Sequence, residues 1–505
     1  MRKLLLNSWL IAVLCVLSLE VSAAGQSEKE VSVIPYPKHI RMKQGVFELT
    51  SQTAFVTGTE EVKRIAGYFR EQMKRSTGYP FPIRNNGKES NTQGNKAYEN
   101  SITLKIDTTL PLNEEGYRLD VANHKIDVTG KSLRGLFYGM QTLMQLFPPA
   151  IQNPHKVENI HWSLPCVSIE DEPRFAYRGM MLDVCRYFMD VDFIKKQLDL
   201  MAMFKMNYFH WHLTDDHLWT IEVKKYPLLT EVGSVRHNVD GSICRGFYTQ
   251  EQIKEVVAYA AARQITVIPE IELPGHALAA ITAYPELSCI EGPFRLRNQW
   301  GVEDNVYCAG NDRVFDFLED VIDEVAPLFP GKYFHIGGDE CPKTHWKRCR
   351  KCQKRMRDEH LKNEHELQSY FVHRAEAMLL KHGKAMIGWD EILEGGLAPT
   401  ATVMSWTGEE GGITAANMGH DVIMTPLQYA YYDYNGQGAP EVEPVAIGYG
   451  ISLEKAYHYE PVAARISPDK QHHILGAQAN LWTEYSPTPE HTEYLRTPVC
   501  SQWQS

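Results

Sequence analysis

Two adjacent carboxylates, Asp339 and Glu340, are the residues of this chain with the clearest chemical potential. They follow an apolar run at residues 332–336 and the pair Gly337-Gly338. Glycine has no Cβ, so the backbone can turn sharply there and approach a ligand closely. The pattern predicts a strand whose carboxyl end presents both acids, which is where α/β proteins place their catalytic groups. Such a pair can perform general acid catalysis beside a stabilised cation, as in glycoside cleavage; a solvated strand end is the alternative.

Short apolar runs that end in polar or aromatic residues recur eight times after residue 172. They lie at residues 179–183, 208–216, 265–272, 333–340, 385–391, 402–406, 421–425 and 474–484. Segments between them have the 3.6-residue period of helices, as at 191–204, 250–263, 314–328 and 365–380. Eight alternations of strand and helix are typical of a (β/α)8 TIM barrel, whose buried parallel strands are almost continuously apolar.

All strand ends of such a barrel face one mouth, where we expect a set of polar and aromatic side chains to gather. In chain order the set is Arg178, His210, His212, Asp215, Asp216, Glu272, His276, Asp339, Glu340, Trp389, Asp390, Glu391, Trp406, Tyr431, Asp433, Trp482 and Glu484. Any single tryptophan here could be a packed rim residue. Three tryptophans on separate strand ends, together with a tyrosine, predict an apolar box for a sugar or its acyl group.

Length, composition and charge set the wider organisation. The 505 residues exceed one ordinary domain, and the hydrophobic content of 43% is usual for a globular protein. Residues 25–165 contain short strand-like runs and two helical patterns, which predicts a small α+β scaffold domain before a catalytic domain at 166–505. A net charge of −11 argues against nucleic acid and anionic membranes as partners and favours a neutral substrate.

Residues 1–24 are typical of a signal peptide. Arg2 and Lys3 precede an apolar stretch at 10–19, and residues 22–24, Ser-Ala-Ala, form a small-residue cleavage site. The apolar stretch is too short to span a bilayer comfortably, and no later segment is a candidate for doing so. We therefore expect an exported protein without a membrane span.

The cysteines leave several interpretations open. Nine lie beyond the predicted signal peptide, an odd number, so at least one thiol is unpaired or intermolecular. Cys289 and Cys308 flank a loop that a disulfide could close. Cys349 and Cys352 form a single CxxC motif, and two potential partners lie nearby, Cys341 and His345. A disulfide staple or free thiols are the first interpretation, and a structural zinc site or a redox pair is the alternative. The cluster directly follows Glu340, so we expect it to brace that loop.

A metal-dependent hydrolase is a competing hypothesis. Alternate residues of a strand share a face, so His210 and His212 could bind one ion. However, no matching His or Lys ligand follows the later strands, and the tryptophans would be unexplained. The sequence therefore predicts no metal and no cofactor at the site.

The motifs together resemble the β-N-acetylhexosaminidases of glycoside hydrolase family 20. The resemblance covers nearly all of residues 30–485 and lies in residues 177–179 (YRG), 210–212 (HWH), 274–276 (PGH), 335–341 (HIGGDEC), 389–391 (WDE), 431 and 433 (Y and D), and 482–484 (WTE). It implies a small α+β domain before a catalytic barrel. It also implies an exo-acting enzyme that removes terminal β-linked N-acetylglucosamine or N-acetylgalactosamine from oligosaccharides or glycoconjugates.

The resemblance implies a role for each matching residue. Glu340 would be the general acid and then the base for water. Asp339 would orient the 2-acetamido group and stabilise an oxazolinium intermediate, and Tyr431 would hydrogen-bond the acetamido oxygen. The other implied roles are walls of the N-acetyl pocket for Trp389, Trp406 and Trp482, contacts to ring hydroxyls for Arg178, Asp433 and Glu484, and support of the acid for His276.

Adjacency of the two acids fits this scheme on physical grounds. A conventional retaining glycosidase holds its carboxylates about 5–5.5 Å apart on opposite faces of the sugar, and family 20 is a known substrate-assisted exception. Consecutive residues cannot easily straddle a ring, whereas one acid beside the leaving group and one beside the amide can be neighbours. Two nearby carboxyls disfavour simultaneous charge, which predicts a higher pKa for Glu340 than for Asp339.

The end of the chain raises a second competing hypothesis, an inactive or weakly active carbohydrate-binding homologue. A helix predicted at 489–495 is followed by residues 496–505, which contain Pro498 and do not match the family's pattern. From this we expect a truncated last barrel helix that exposes apolar surface of the eighth strand. The complete set of predicted site residues argues against decay of the site.

Overall fold

The structure is a computed structural model, and it describes residues 31–85, 99–434, 444–448 and 450–496. The predicted signal peptide at 1–24 and the tail at 497–505 lie outside the described residues. The chain divides into two compact units. The first contains the described residues up to Lys105 together with Arg118–Thr129 and Thr142–Asp171, and the second contains Ile106–Tyr117, Gly130–Gln141 and the described residues from Glu172 onward.

A seven-stranded sheet with two helices accounts for the predicted α+β domain. Its strands are β1 (His39–Glu48), β2 (Ala54–Thr57), β3 (Ile83–Asn85), β4 (Ser101–Ile106), β5 (Tyr117–Ala122), β6 (Lys125–Gly130) and β7 (Ser163–Asp171), in the order β1-β7-β5-β6-β4-β2-β3. The helices are α1 (Glu60–Thr77) and α2 (Leu133–Leu146). Strand β7 pairs antiparallel with β1 and continues past residue 165, where the sequence places the domain boundary. Thr59 caps α1, and Gly78 ends it in the left-handed conformation that glycine favours.

The predicted (β/α)8 barrel is confirmed in the second unit. Its strands are β8 (Tyr177–Asp183), β9 (Tyr208–His212), β10 (Val235–His237), β11 (Ile243–Arg245), β12 (Thr266–Glu270), β13 (Tyr333–His335), β14 (Ala385–Trp389), β15 (Thr402–Ser405), β16 (Val422–Met424) and β17 (Ile474–Leu481). Strands β10 and β11 form a separate hairpin. The other eight close a barrel in the order β12-β13-β14-β15-β16-β17-β8-β9, and each lies within one of the eight runs or extends it by two residues at most.

Helices connect the barrel strands. They are α3 (Val191–Met203), α4 (Leu228–Glu231), α5 (Gln250–Ala261), α6 (Leu278–Ala283), α7 (Asp312–Val325), α8 (Arg350–Asp358), α9 (Glu364–Lys381), α10 (Glu410–Met418), α11 (Leu427–Ala430), α12 (Leu453–Tyr457) and α13 (Pro489–Arg496). Their starts follow ordinary capping chemistry: Asp190 caps α3, and Thr249 forms a capping box with Gln252 at α5. No helix of the described residues is long and apolar enough to cross a bilayer.

Large side chains fill the barrel interior. Tyr177 and Tyr208 stack near its amino end with ring centroids 4.4 Å apart, and Tyr333 packs edge-on against Tyr208 at 6.1 Å. Towards the carboxyl end, the buried cluster continues through Ile387 to Trp389. Because this interior is a packed core rather than a channel, polar side chains that leave the strand ends must collect at the mouth.

Candidate active site

The loop after β13 holds the two acids in an unusual backbone conformation. Gly337 and Gly338 have φ of 69° and 97°, and a Cβ on Gly337 would lie 1.6 Å from Glu272 Oε2. Glycine is therefore required where the sequence predicts a tight turn. Asp339 is 7% exposed, and Glu340 has φ of 40°, a left-handed conformation that is strained for a residue with a side chain. Such strain is found at functional sites, where surrounding contacts hold it.

His276 joins the two acids. Its Nε2 lies 3.6 Å from Asp339 Oδ2 and 3.6 Å from Glu340 Oε2, and its Nδ1 lies 3.1 Å from Asp216 Oδ2. Burial acts to lower the pKa of His276, but the carboxylates of Asp215 and Asp339 outweigh burial and raise this pKa well above its usual value. His276 is consequently an imidazolium, and both acids face the same cation.

The pKa of Glu340 depends on a neighbouring residue that sequence reasoning did not include. A hydrogen bond from His276 lowers the pKa of Glu340 below its ordinary value, with burial acting in the opposite direction. The prediction that Glu340 has a higher pKa than Asp339 rested only on repulsion between the two acids. It omitted His276, a neighbouring cation that stabilises the carboxylate of Glu340.

Glu340 is also the more accessible of the two acids. Its side chain is 38% exposed, against 10% for Asp339. A cavity of about 370 Å³ opens beside Glu340, and its lining includes Glu391, Lys343 and Gln368. Burial, with the nearby Asp339, raises the pKa of Glu391 to about 8. Asp339 is thus enclosed among acids, whereas Glu340 borders open space.

Four aromatic side chains meet at the mouth, as the sequence predicts. Trp406 and Tyr431 lie nearly parallel with ring centroids 6.1 Å apart, Tyr431 lies 6.4 Å from Trp482, and Trp482 lies 6.1 Å from Trp389. Trp389 Nε1 donates to Glu270 at 2.9 Å, which orients that indole. We call these four residues the aromatic box; its use as an N-acetyl pocket stays a prediction.

Beside the aromatic box lies a group of buried charges with unused hydrogen-bonding capacity. Both carboxylate oxygens of Asp433 and Oε2 of Glu484 have no hydrogen-bond partner among the described residues. Burial raises the pKa of each, and the charge of Glu484 adds to the rise at Asp433. Buried polar atoms without partners are costly, so this arrangement is suited to a ligand that brings hydroxyl groups.

Arg186 lies in this group, and sequence reasoning missed it. Its Nη1 lies 3.0 Å from Asp215 Oδ2, its Nη2 lies 3.6 Å from Glu484 Oε1, and its guanidinium lies 4.9 Å from the ring centre of Trp482. Strand β8 ends at Asp183, and Arg186 follows three residues later. This position just after a barrel strand was a signal that the sequence contained.

The prediction that Arg178 faces the mouth is wrong. Arg178 is the second residue of β8, so it lies at the amino end of the barrel. Its guanidinium lies 2.7 Å from Glu115 and donates to the backbone oxygens of Lys205 and Phe175. The strand end at Asp183 lies five residues beyond Arg178, which corresponds to roughly 17 Å, beyond the reach of an arginine side chain.

His210 and His212 belong to a buried network around Glu270. Glu270 Oε2 lies 3.0 Å from His210 Nε2 and contacts His212 Nδ1. The other ring nitrogen of His210 lies 3.0 Å from Gln478, and the other ring nitrogen of His212 lies 3.1 Å from Asp215. Burial acts to lower the pKa of both imidazoles. The pKa of His210 falls to about 4, whereas at His212 the neighbouring Glu270 and Asp215 outweigh burial and raise the pKa to about 10. Three of the four ring nitrogens have hydrogen-bond partners, and His210 Nε2 is a buried atom without one among the described residues. The metal-dependent hydrolase stays a competing hypothesis.

Comparison with known proteins identifies the family of this chain. The profile described as glycosyl hydrolase family 20, domain 2, matches residues 30–172, and that of the family's catalytic domain matches residues 175–500. A β-hexosaminidase of Porphyromonas gingivalis is 54% identical over 471 residues, which cover 93% of this chain and 60% of that protein. One from Vibrio furnissii is 36% identical over 482 residues, covering 93% and 75%.

A solved structure has a similar fold over nearly the whole of this chain. The GH20 exo-β-N-acetylglucosaminidase from Vibrio harveyi, in complex with N-acetylglucosamine, gives a TM-score of 0.82 at 33% identity, covering 95% of this chain and 75% of that one. The fold and the matched family models are thus those of the glycoside hydrolase class. The chain belongs to glycosyl hydrolase family 20. It spans 60% of the length of the Porphyromonas gingivalis relative.

Proposed function

We propose that the protein is a β-N-acetylhexosaminidase that removes terminal, non-reducing β-linked N-acetylglucosamine or N-acetylgalactosamine with retention of configuration. The observation that carries the proposal is the placement of Asp339 and Glu340. Both acids are consecutive residues of one loop and approach the same nitrogen of His276, at 3.6 Å each, and consecutive residues cannot easily lie on opposite faces of a sugar ring. A nucleophile other than a second carboxylate is therefore needed, and the substrate's 2-acetamido oxygen supplies it.

The first step breaks the glycosidic bond. Glu340 borders open space and gives its proton to the leaving oxygen as the C1–O bond breaks. The acetamido oxygen attacks C1 from the opposite face and forms a cyclic oxazolinium ion. Asp339 accepts the amide N–H and balances the positive charge, in an enclosed position where such an interaction is strong. A sugar that covers Glu340 removes water from it and opposes the lowering of its pKa by His276.

The second step returns the enzyme to its starting state. Glu340, now a carboxylate, takes a proton from water as the water oxygen attacks C1 and the oxazolinium ring opens. The resulting sugar keeps its β configuration because C1 is inverted twice. Tyr431 stands in the aromatic box with its pKa raised well above the usual value, chiefly by burial, so it stays a neutral donor to the acetamido oxygen.

Recognition of the terminal sugar follows from the remaining groups. Trp389, Trp406 and Trp482 enclose the N-acetyl group and one face of the ring. The carboxylate oxygens of Asp433 and Glu484 accept hydrogen bonds from the ring hydroxyls of the sugar. Arg186 donates hydrogen bonds to the oxygens of these hydroxyls. Substrates are neutral N-acetylhexosamine-containing oligosaccharides or glycoconjugates, and the signal-peptide pattern at 1–24 supports export to meet them.

The test compares 4-nitrophenyl N-acetyl-β-glucosaminide with the corresponding β-glucoside. We expect hydrolysis of the first and a rate lower by at least about 10³-fold for the second, because it lacks the internal nucleophile. Similar rates on both would overturn the proposal. Glu340→Gln should lower kcat/KM by about 10²–10⁴-fold, whereas the exposed Glu251→Gln on α5 should leave it unchanged.

A further inference from the structure

Four cysteines from two loops converge in the barrel unit. Cys289 and Cys308 belong to the segment between α6 and α7, and Cys349 and Cys352 lie at the start of α8. All eight cysteines of the described residues are free thiols, so the predicted disulfide between Cys289 and Cys308 is not formed. The two pairs that sequence reasoning treated separately are therefore parts of one cluster.

The sulfur separations match a tetrahedron. Cys289 Sγ lies 3.6 Å from Cys352 Sγ, and Cys308 Sγ lies 3.7 Å from both Cys349 Sγ and Cys352 Sγ. All four sulfurs lie within 4.8 Å of one another. Four thiolates around Zn²⁺ at 2.3 Å have edges of about 3.8 Å, whereas a disulfide needs about 2.05 Å. We propose that Cys289, Cys308, Cys349 and Cys352 bind one structural zinc ion.

The surrounding backbone is shaped for this cluster. A Cβ on Gly310 would lie 2.1 Å from the carbonyl carbon of Lys351 and 2.3 Å from the nitrogen of Cys352, so glycine lets the Cys308 loop lie against the first turn of α8. Cys308 N donates to Leu287 O at 2.9 Å and thereby anchors that loop. Cys308 and Cys352 are buried, which suits a closed site with four protein ligands.

Charge around the CxxC motif also favours a bound metal. Zinc with four thiolates carries a net charge of −2. The segment at residues 347–352 reads KRCRKC, so four basic residues flank the two cysteines. Cys349 is the N-cap of α8 and Cys352 lies in its first turn, where the helix dipole stabilises a thiolate.

The zinc site would join the two loops that carry the proposed catalytic groups. The Cys289–Cys308 loop follows His276, and the CxxC follows Glu340. Between them, Trp346 Nε1 donates to Tyr307 O at 2.9 Å, and a Cβ on Gly275 would lie 2.9 Å from Asp339 O. Zinc takes no part in bond breaking; it stabilises the fold and fixes His276 beside the acids.

Metal content of the purified full-length protein is the direct test. Inductively coupled plasma mass spectrometry should find one zinc per chain, and Cys308→Ser or Cys352→Ser should lose it. Cys166→Ser is the matched control, because Cys166 is buried outside the cluster, donates to Asn123, and should leave zinc unchanged. Cobalt substituted for zinc should give the visible absorption of a tetrahedral thiolate complex.

A second measurement uses only the unaltered protein, in case the serine variants do not fold. Removal of zinc by a chelator should lower Tm and expose four additional cysteines to alkylation, and added Zn²⁺ should restore both. As-isolated protein without zinc, with the four cysteines paired in two disulfides, would overturn the proposal. Zinc retained after Cys308→Ser and Cys352→Ser are combined would overturn it as well.

Discussion

Arginines lie near both ends of strand β8, and they differ in how fully the protein satisfies their hydrogen-bond donors. At the amino end, every guanidinium nitrogen of Arg178 donates to an oxygen of the protein, namely those of Phe175, Lys205 or Tyr138. At the carboxyl end, Nε and Nη1 of Arg186 make no hydrogen bond with a described residue, although Asp215 lies 3.0 Å away. The first arginine is satisfied by the fold, whereas the second has capacity left for a ligand.

This contrast separates stability from function within one barrel. The fully hydrogen-bonded guanidinium of Arg178 at the amino end stabilises the unit. At the mouth, Asp339, Asp433 and Glu484 each have a buried oxygen that makes no hydrogen bond within the part of the chain that the structure describes. Such atoms lower stability unless a substrate pairs with them, which is the usual exchange at an active site.

The largest expected effect is on stability, at Arg178. Arg178→Met removes a buried cation from beside Glu115, so the free energy of unfolding should fall by about 3–5 kcal/mol. At a temperature where the variant remains folded, kcat/KM should stay close to that of the unaltered protein. Urea denaturation and a rate assay check both parts, and a preserved stability with reduced kcat/KM would reverse the assignment of the two arginines.

Arg186→Lys should give the opposite result. Lysine keeps the positive charge among Asp183, Asp215 and Glu484 but loses the planar fork that can donate two hydrogen bonds to ring hydroxyls. We expect kcat/KM to fall by about 10–100-fold, corresponding to about 1.5–3 kcal/mol, with little change in Tm. Unchanged kinetics would exclude Arg186 from substrate binding.

The pH dependence of stability provides a third test, at Glu391. Its pKa of about 8 is raised above the usual value, so the folded state holds a proton that the unfolded state releases at a lower pH. Stability should therefore fall as pH rises from about 4.5 to 8. Glu391→Gln should flatten this dependence and raise stability at pH 8 by about 1–3 kcal/mol. Parallel Tm curves for both proteins across this range would contradict the assignment.

His276 should affect the pH profile of catalysis. In the unaltered protein, a hydrogen bond from His276 lowers the pKa of Glu340, so Glu340 loses its proton at a lower pH. His276→Asn removes the cation, and the basic limb of kcat/KM should move to higher pH by about one unit. A basic limb that stays in place would show that His276 does not set the protonation of Glu340.

Much of the fold was predictable from local pattern. Each barrel strand follows from an apolar run, and the turn before Asp339 follows from Gly337-Gly338. The prediction for Arg178 was wrong because it grouped a residue at the start of a strand with residues that follow strands. The two kinds of position lie at opposite ends of a barrel. Strands β2, β3 and β7 of the first unit were not predictable in this way, because short or mixed runs have little periodicity.

Features that depend on contacts between loops were not predictable. Cys308 and Cys352 are 44 residues apart and meet only when the loops after β12 and β13 pack together. The charge on His276 depends in the same way on Asp215, which follows a different strand. Spacing along the chain carries no information on such encounters, so the proton balance at Glu340 could not be derived from it.

A series of substrates with increasingly fluorinated acetamido groups tests the central claim most directly. Fluorine withdraws electrons from the amide oxygen and weakens it as a nucleophile, without altering the leaving group. If that oxygen attacks C1, kcat/KM should fall steeply and progressively from N-acetyl to N-trifluoroacetyl. Rates independent of fluorination would contradict the account and assign the attack to a group of the protein.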